Sequence, residues 1–214
     1  MSQPTESAPS PRSTPYSLAD LERDSWHQLV LATQQTKNHE DRSGFRTMTV
    51  ATNTPDGADA RTVVLRQVDA VRRYLWFHTD ARARKVMQLE AFPNATLLFW
   101  DDKSQIQLRL TAETRLHTDD YVADEQWKTL WVGSRKMYLS APAPGSEQPA
   151  PYPGFPPELG SELPSEADSE AGRRNFAVME CRILSLEYLQ LGRDGQTRAR
   201  FQYEPDRKLA WLAP

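Results

Sequence analysis

The middle of the chain alternates apolar and polar side chains with the period of two that is typical of half-buried β-strands. The most regular run covers residues 105–116, where Ile106, Leu108, Leu110 and Ala112 would share one face. The same pattern predicts strands over residues 45–53, 59–69, 72–79, 94–100, 176–191, 199–203 and 208–214. A Pro-Asp-Gly sequence separates the first two of these runs and predicts a tight hairpin turn between them.

Two segments have the spacing of apolar residues that indicates an amphipathic helix, residues 17–35 and residues 119–131. Ser17 is a good N-cap for the first of them. Trp127 and Trp131 lie one helical turn apart in the second, so the pattern predicts that both rings pack against the rest of the protein.

A third helix is predicted from about residue 80, with Thr79 or Asp80 as its N-cap and Phe92-Pro93 as its end. The element order is then helix, three strands, helix, two strands, helix and closing strands. Short antiparallel strands with few helices between them predict a mainly β (α+β) fold, a β-barrel with a few flanking helices, rather than a doubly wound sheet.

The composition excludes several classes of protein. A net charge of −3 over 214 residues does not suggest nucleic-acid binding, and no apolar run is long enough to span a membrane. The first 16 residues lack the hydrophobic centre of a signal peptide, so we expect a cytoplasmic protein. Cys181 is the only cysteine and the four histidines are scattered, which predicts neither a disulfide nor a metal site.

The chain is interpreted as one domain over residues 17–214, preceded by a tail. Residues 1–16 are rich in Pro, Ser and Thr and are expected to be disordered. Residues 141–172 contain half of the 16 prolines and acidic but no basic side chains, which predicts a mobile surface insertion.

Three cations stand at the wrong end of the predicted third helix. Arg82, Arg84 and Lys85 fall in its first turn, where each cation costs roughly 0.3–1 kcal/mol because the helix N-terminus is itself partly positive. A basic helix face that is simply solvated is one explanation. The other is a bound anion, held by the free N–H groups and the basic side chains together.

Two further arginines bracket the apolar part of the second predicted strand. Arg61 and Arg66 flank a run that should be buried in the sheet, and buried guanidinium groups need partners. Asp56, Asp59 and Asp69 in the same hairpin could pair with them, so structural ion pairs and ligand binding both remain open.

Four segments, residues 61–69, 74–100, 107–113 and 199–214, together resemble the pyridoxamine 5'-phosphate oxidase-like family, and most closely its small FMN-binding branch without an assigned reaction. The similarity covers residues 45–116 and 175–214. It implies a split β-barrel of the FMN-binding type that forms a homodimer with FMN at the subunit interface.

The resemblance also implies site residues. Arg61, Arg84 and Lys85 would hold the FMN phosphate, which would be the anion at the helix N-terminus. Gln107 would correspond to the family's strand glutamine that contacts the flavin, and Arg200 to its final FMN-contacting arginine. The full implied set is Arg61, Val64, Leu65, Arg66, His78, Thr79, Arg84, Lys85, Gln107 and Arg200.

The sequence departs from the family's oxidases at the positions that hold the vitamin substrate. Gln196 and Arg198 stand where those enzymes have arginine and histidine, and Leu189 stands where they have a tryptophan beside the flavin. The implied function is an FMN-dependent oxidoreductase without an assigned substrate. The alternatives are a non-catalytic protein that binds FMN or another phosphorylated ligand, and a genuine pyridoxamine or pyridoxine 5'-phosphate oxidase. No catalytic acid or base can be named from the sequence.

Overall fold

The structure, a computed structural model, describes residues 17–34 and 43–214. The expected tail over residues 1–16 lies outside the described residues. Eight strands form the framework of the molecule: β1 (Thr47–Thr54), β2 (Gly57–Asp69), β3 (Tyr74–Asp80), β4 (Asn94–Asp101), β5 (Ile106–His117), β6 (Phe176–Gln190), β7 (Thr197–Gln202) and β8 (Lys208–Leu212).

All neighbouring strands are antiparallel, in the order β3-β2-β1-β4-β5-β6-β7-β8. β3 also pairs with the first half of β6, which closes the first six strands into a barrel. The second half of β6 instead pairs with β7, and β8 extends this part of the sheet outward. The split-barrel, mainly β fold expected from the sequence is confirmed.

The barrel interior is filled by the side chains that the alternating pattern assigned to it. On β5, Leu108, Leu110 and Ala112 are at most 1% exposed. Phe77 on β3 and Phe99 on β4 are fully buried beside them in the same apolar cluster. Burial of this kind is the main favourable contribution to folding, and it fixes the register of each strand because a shift by one residue would expose the whole apolar face.

The helices are α1 (Leu18–Ala32), α2 (Arg84–Ala91), α3 (Tyr121–Thr129), α4 (Val132–Arg135) and α5 (Glu166–Ser169). Short 3-10 turns occur at Gly44–Arg46, Lys136–Leu139, Pro157–Leu159 and Glu170–Asn175. Ser17 caps α1 as predicted, since its side chain accepts a hydrogen bond from the Asp20 N–H. No helix in the described part of the chain combines the length and the apolar character needed to span a bilayer.

α3 packs outside the barrel over the start of β6. Trp127 is 3% exposed and contacts Phe176, with ring centroids 5.2 Å apart. The prediction that Trp131 packs in the same way is wrong, because the chain leaves α3 at Leu130 and the Trp131 side chain is 67% exposed.

The predicted N-cap of α2 is also wrong. Thr79 and Asp80 belong to β3, and the N-cap is Ala83, which has no side chain that can accept a hydrogen bond. The Asp80 carboxylate is used instead by the backbone N–H and the guanidinium of Arg82. The predicted end is correct, since α2 stops at Ala91 with Phe92 as its C-cap.

A buried lysine in the 3-10 turn Lys136–Leu139 holds the segment over residues 141–172. The Lys136 Nζ donates hydrogen bonds to the carbonyl oxygens of Gly160 at 2.6 Å and Glu162 at 2.8 Å. At the start of the segment, the Arg82 guanidinium donates to the carbonyl oxygens of Ser140 and Ala141, each at 3.0 Å. These contacts place the segment beside the N-terminus of α2.

Candidate functional site

A cavity of about 220 Å³ lies where β2, the end of β3 and the N-terminus of α2 meet. Five of the residues implied by the resemblance line it, namely Val64, Arg66, His78, Thr79 and Lys85. The register explains how β2 contributes, because Thr62, Val64 and Arg66 alternate out of the barrel while Leu65 points inward and is 2% exposed. Leu65 does not line this cavity.

The N-terminus of α2 brings the positive end of a helix and the Lys85 ammonium group to the cavity. The Lys85 Nζ has one hydrogen-bond partner among the described residues, the Thr79 hydroxyl at 3.0 Å, and Thr79 is itself buried. Burial lowers the pKa of Lys85, and the nearby charge of Arg61 lowers it further. Since Ala83 offers no side-chain acceptor, the first N–H groups of α2 are available to an anion as well.

Arg61 does not line this cavity, although its charge reaches Lys85. Its guanidinium pairs with the Asp59 carboxylate at 2.6 Å and donates hydrogen bonds to Thr52 Oγ1 at 2.7 Å and to Gln88 Oε1 at 2.9 Å. The structure thus supports the ion-pair explanation for Arg61. Arg66 differs, because none of the ion pairs formed by the described residues involves it.

The three cations that the sequence placed together have separate surroundings. Arg82 is neutralised by Asp80, with a guanidinium–carboxylate distance of 2.7 Å, and lies before the helix rather than in it. Arg84 is exposed at the first helical position. The pKa of Asp59 is lowered mainly by the hydrogen bond from Gln88, and the charge of Arg84 adds a smaller effect in the same direction. Lys85 is the one that points into the cavity.

Arg66 and His78 leave buried polar atoms without partners. Arg66 Nε and His78 Nδ1 are buried and form no hydrogen bond, whereas His78 Nε2 lies 2.7 Å from Gln126 Oε1. Burial lowers the pKa of His78 to about 4, and the charge of Arg66 acts in the same direction. The imidazole is therefore neutral near pH 7, and its buried Nδ1 has no hydrogen-bond partner among the described residues.

Gln107 and Arg200 lie in a different part of the molecule. His78 is paired with Val178 on β6, whereas Gln107 is paired with Leu189 on the same strand. At about 3.3 Å per residue, these two positions are separated by roughly 35 Å along β6. Arg200 lies near Gln107, and its Nε is 3.8 Å from the Glu187 carboxylate.

The chain was compared with known proteins. Residues 35–152, more than half of the chain, match the family profile described as "Pyridoxamine 5'-phosphate oxidase". The chain belongs to this family. It is 35% identical over 121 residues to the pyridoxine/pyridoxamine 5'-phosphate oxidase of Kineococcus radiotolerans, covering 53% of each chain. It is 34% identical over 102 residues to that of Gloeothece citriformis, covering 44% of this chain and 47% of the other.

The chain thus spans about half the length of the curated oxidases it matches. Two solved structures superpose on a larger part of the chain than the curated oxidases match. A pyridoxamine 5'-phosphate oxidase-related, FMN binding protein from Nostoc punctiforme superposes with a TM-score of 0.60 at 20% identity, covering 79% of this chain and 87% of that one. PhzG from Burkholderia lata, solved with tetrahydrophenazine-1-carboxylic acid, gives 0.62 at 18% identity, covering 95% and 94%. At these identities the likeness establishes the fold.

The cavity fits the phosphate of the flavin that the pyridoxamine 5'-phosphate oxidase family commonly binds. A phosphate requires N–H and cationic donors with few competing acceptors. Lys85, Thr79 and the uncapped start of α2 supply the donors, and Asp80, the one acidic side chain among the described residues that line the cavity, is engaged by Arg82. Within the described ranges, no three His, Cys, Asp or Glu side chains are grouped as a metal ion would require.

Several lining residues were not found by sequence reasoning. Tyr138 and Pro144 lie more than fifty residues after Lys85, in a part of the chain that could not be aligned to the family motifs, yet both border the cavity. Arg46 and Trp131 line a neighbouring cavity together with Arg66. Their local sequence carries no signal for this, because the contacts are made between elements that are distant along the chain.

Proposed function

We propose that the protein is an FMN-binding oxidoreductase that works as a homodimer, with each flavin held between two copies of the chain. The observation that carries the proposal is the cavity at the start of α2, where half-buried Lys85 and buried Thr79 face an uncapped helix N-terminus, and the Asp80 carboxylate beside them is engaged by Arg82. The phosphate would occupy this end. The backbone from Val64 to Arg66 and the unpartnered nitrogens of Arg66 and His78 would lie beside the rest of the cofactor.

The distance between the two groups of implied residues supports the dimer. Gln107 lies roughly 35 Å and Arg200 roughly 30 Å along β6 from the position of His78, which is far longer than FMN, so one chain does not bring both groups to the same cofactor. A two-fold symmetric dimer can, because each copy then offers its phosphate cavity to the Gln107 end of its partner. The Nostoc relative that shares this fold is described as FMN binding.

Bound FMN would supply hydride and electron transfer, and the protein would supply position and electrostatics. Lys85 and Thr79 would anchor the phosphate, and this would fix the ring along β2. His78 is neutral near pH 7 and would therefore present a polar but uncharged nitrogen to the ring or substrate.

An oxidoreductase must cycle its flavin. We expect the flavin of the purified protein to be bleached by NADH or NADPH under nitrogen and to recover its colour in air, over repeated additions, as followed by the flavin absorbance. Free FMN at the same concentration is the control for uncatalysed reduction. Flavin that remains bound but is reduced no faster than free FMN would favour a non-catalytic FMN-binding protein instead.

A further inference from the structure

Residues 140–162, which we call the strap, lead from the start of α2 to a buried lysine and border the proposed flavin cavity on the way. Pro144 of the strap lines this cavity together with Ala83 and Lys85 from the start of α2. The strap therefore forms part of the cavity wall at the end where the phosphate of FMN would lie.

The first part of the strap is bound to the residue that precedes the N-cap of α2. The Arg82 guanidinium donates hydrogen bonds to the carbonyl oxygens of Ser140 and Ala141, each at 3.0 Å. The Ser140 hydroxyl in turn donates to the Pro142 carbonyl oxygen at 2.7 Å. These contacts hold Pro144, two residues further on, beside the helix N-terminus.

The last part of the strap is bound by Lys136, whose side chain is buried at 6% exposure. The Lys136 Nζ donates to the carbonyl oxygens of Gly160 and Glu162, and it lies 3.9 Å from the centre of the Phe155 ring. These three partner groups all belong to the strap, and each of them is uncharged. Burial of an ammonium group costs free energy that its hydrogen bonds offset, so Lys136 stays buried favourably only while the strap is in place.

The chain that follows the strap is anchored differently. The Arg135 guanidinium pairs with the Glu170 carboxylate at 2.6 Å, and the Trp127 Nε1 donates to the same carboxylate at 3.0 Å. None of the ion pairs between described residues involves the strap. We therefore expect the strap to detach locally while the chain after it stays in place.

The 3-10 turn Lys136–Leu139 connects the strap to the cavity wall. Tyr138 lines the cavity, and its carbonyl oxygen accepts a hydrogen bond from the Asn175 side chain at 2.7 Å. Gly154 of the strap packs on Met137, since a Cβ atom at residue 154 would lie 3.0 Å from the Met137 Cε. One short turn thus carries both a wall of the cavity and the lysine that binds the strap.

We propose that the strap is a cover over the phosphate end of the flavin cavity, which opens to admit FMN and closes to slow its release, and that Lys136 holds it closed. This inference rests on the proposed function, because that function supplies the phosphate. In the closed position the strap limits the access of water to the contact between the phosphate and Lys85, and a charge pair is stronger where solvent is excluded. Riboflavin has no phosphate, so the strap does not slow its release.

The test measures how fast FMN leaves the loaded protein after rapid dilution, followed by the recovery of flavin fluorescence. Lys136→Met removes both hydrogen bonds to the strap, and FMN release should become about 10- to 100-fold faster. Phe155→Leu removes only the ring contact and should speed release about 2- to 5-fold, which keeps the test available if the first variant folds poorly. Riboflavin release should stay unchanged in both variants. Lys128→Met is the matched control, because Lys128 is 68% exposed and pairs with Glu125 on α3.

Proteolysis with a Glu-specific protease measures the opening of the strap without relying on flavin release. Glu147 and Glu158 are exposed within the strap, and cleavage there requires the chain to leave the surface. FMN or inorganic phosphate should protect both sites in the wild type. Lys136→Met should be cut about 10-fold faster and should lose most of this protection.

Equal rates of FMN release from the wild type, Lys136→Met and Phe155→Leu would overturn the proposal. An equal acceleration of riboflavin release would also overturn it, because the variants would then have loosened the whole site. If the wild type binds no FMN, the proposed function fails and the strap is judged by inorganic phosphate alone. Protection by phosphate that depends on Lys136 would then support the cover, and absence of protection would contradict it.

Discussion

The double variant Arg84→Ala/Lys85→Met should bind FMN about 10²–10⁴-fold more weakly than the wild type, because two charge-assisted contacts of roughly 1.5–3 kcal/mol each are lost. The lower part of this range is expected, since Arg84 is exposed and its contact is weakened by solvent. Riboflavin has no phosphate, so its affinity should change little. Titration of apoprotein with both ligands, followed by the quenching of flavin fluorescence, measures the two affinities.

The same variant should not unfold more easily without ligand. Both cations lie at a helix N-terminus, and burial already lowers the pKa of Lys85, so their removal relieves an unfavourable field. The apoprotein is expected to melt no lower than wild-type apoprotein, while the gain in Tm on adding FMN becomes smaller. Arg72→Ala/Lys128→Met removes the same charge from exposed positions and is the control. An unchanged preference for FMN over riboflavin would show that the basic residues do not bind the phosphate and form only a solvated helix face.

Turnover of pyridoxamine or pyridoxine 5'-phosphate should be about 10²–10⁴-fold below that of a family oxidase that has the substrate-binding arginine and histidine, measured as kcat/KM with flavin-saturated protein. Gln196 is exposed and uncharged, and it stands at the arginine position. Arg198 stands at the histidine position, and its guanidinium donates to Glu187 Oε1 at 3.0 and 2.6 Å. Neither residue reproduces the hydrogen bonds that the substrate-binding arginine and histidine of those oxidases make.

The Glu187 carboxylate that binds Arg198 also accepts a hydrogen bond from Arg109 at 2.7 Å, so the two arginines share one carboxylate. Glu187 is 7% exposed, and the hydrogen bonds and charges of these arginines lower its pKa despite its burial. The Glu187 carboxylate is therefore ionised throughout the neutral range. Saturating oxidase kinetics at low concentrations of either vitamin phosphate would contradict this expectation and would make the protein a genuine pyridoxamine 5'-phosphate oxidase.

The strands could be predicted because their side chains obey one physical constraint, a barrel interior that excludes polar groups. Leu108 and Leu110 alternate with polar neighbours for that reason. The start of α2 could not be predicted, because the capping propensity of Asp80 is overridden by its contacts with Arg82. Trp131 was misplaced for a related reason, since helical spacing was extended past the actual end of α3.

The candidate site was predicted only in part. The resemblance to the family grouped Val64, Arg66 and Lys85, because the family motifs that contain them are continuous in the chain. It could not separate Arg61, whose side chain turns toward Asp59, from the residues that line the cavity. Arg46 and Tyr138 were not predicted as lining residues, since their positions depend on tertiary contacts and on no local pattern.

The arrangement of FMN between two copies can be tested most directly with a mixed dimer. One copy carries Arg84→Ala/Lys85→Met and the other Gln107→Ala/Arg200→Ala, each with a different affinity tag, and the flavin content of the co-purified dimer is measured. Each homodimer should be nearly colourless. The mixed dimer should retain about half of the wild-type flavin, because one of its two sites takes both unaltered halves from opposite chains. A mixed dimer as empty as the homodimers, or a wild-type chain that stays monomeric and colourless after incubation with FMN, would contradict the account.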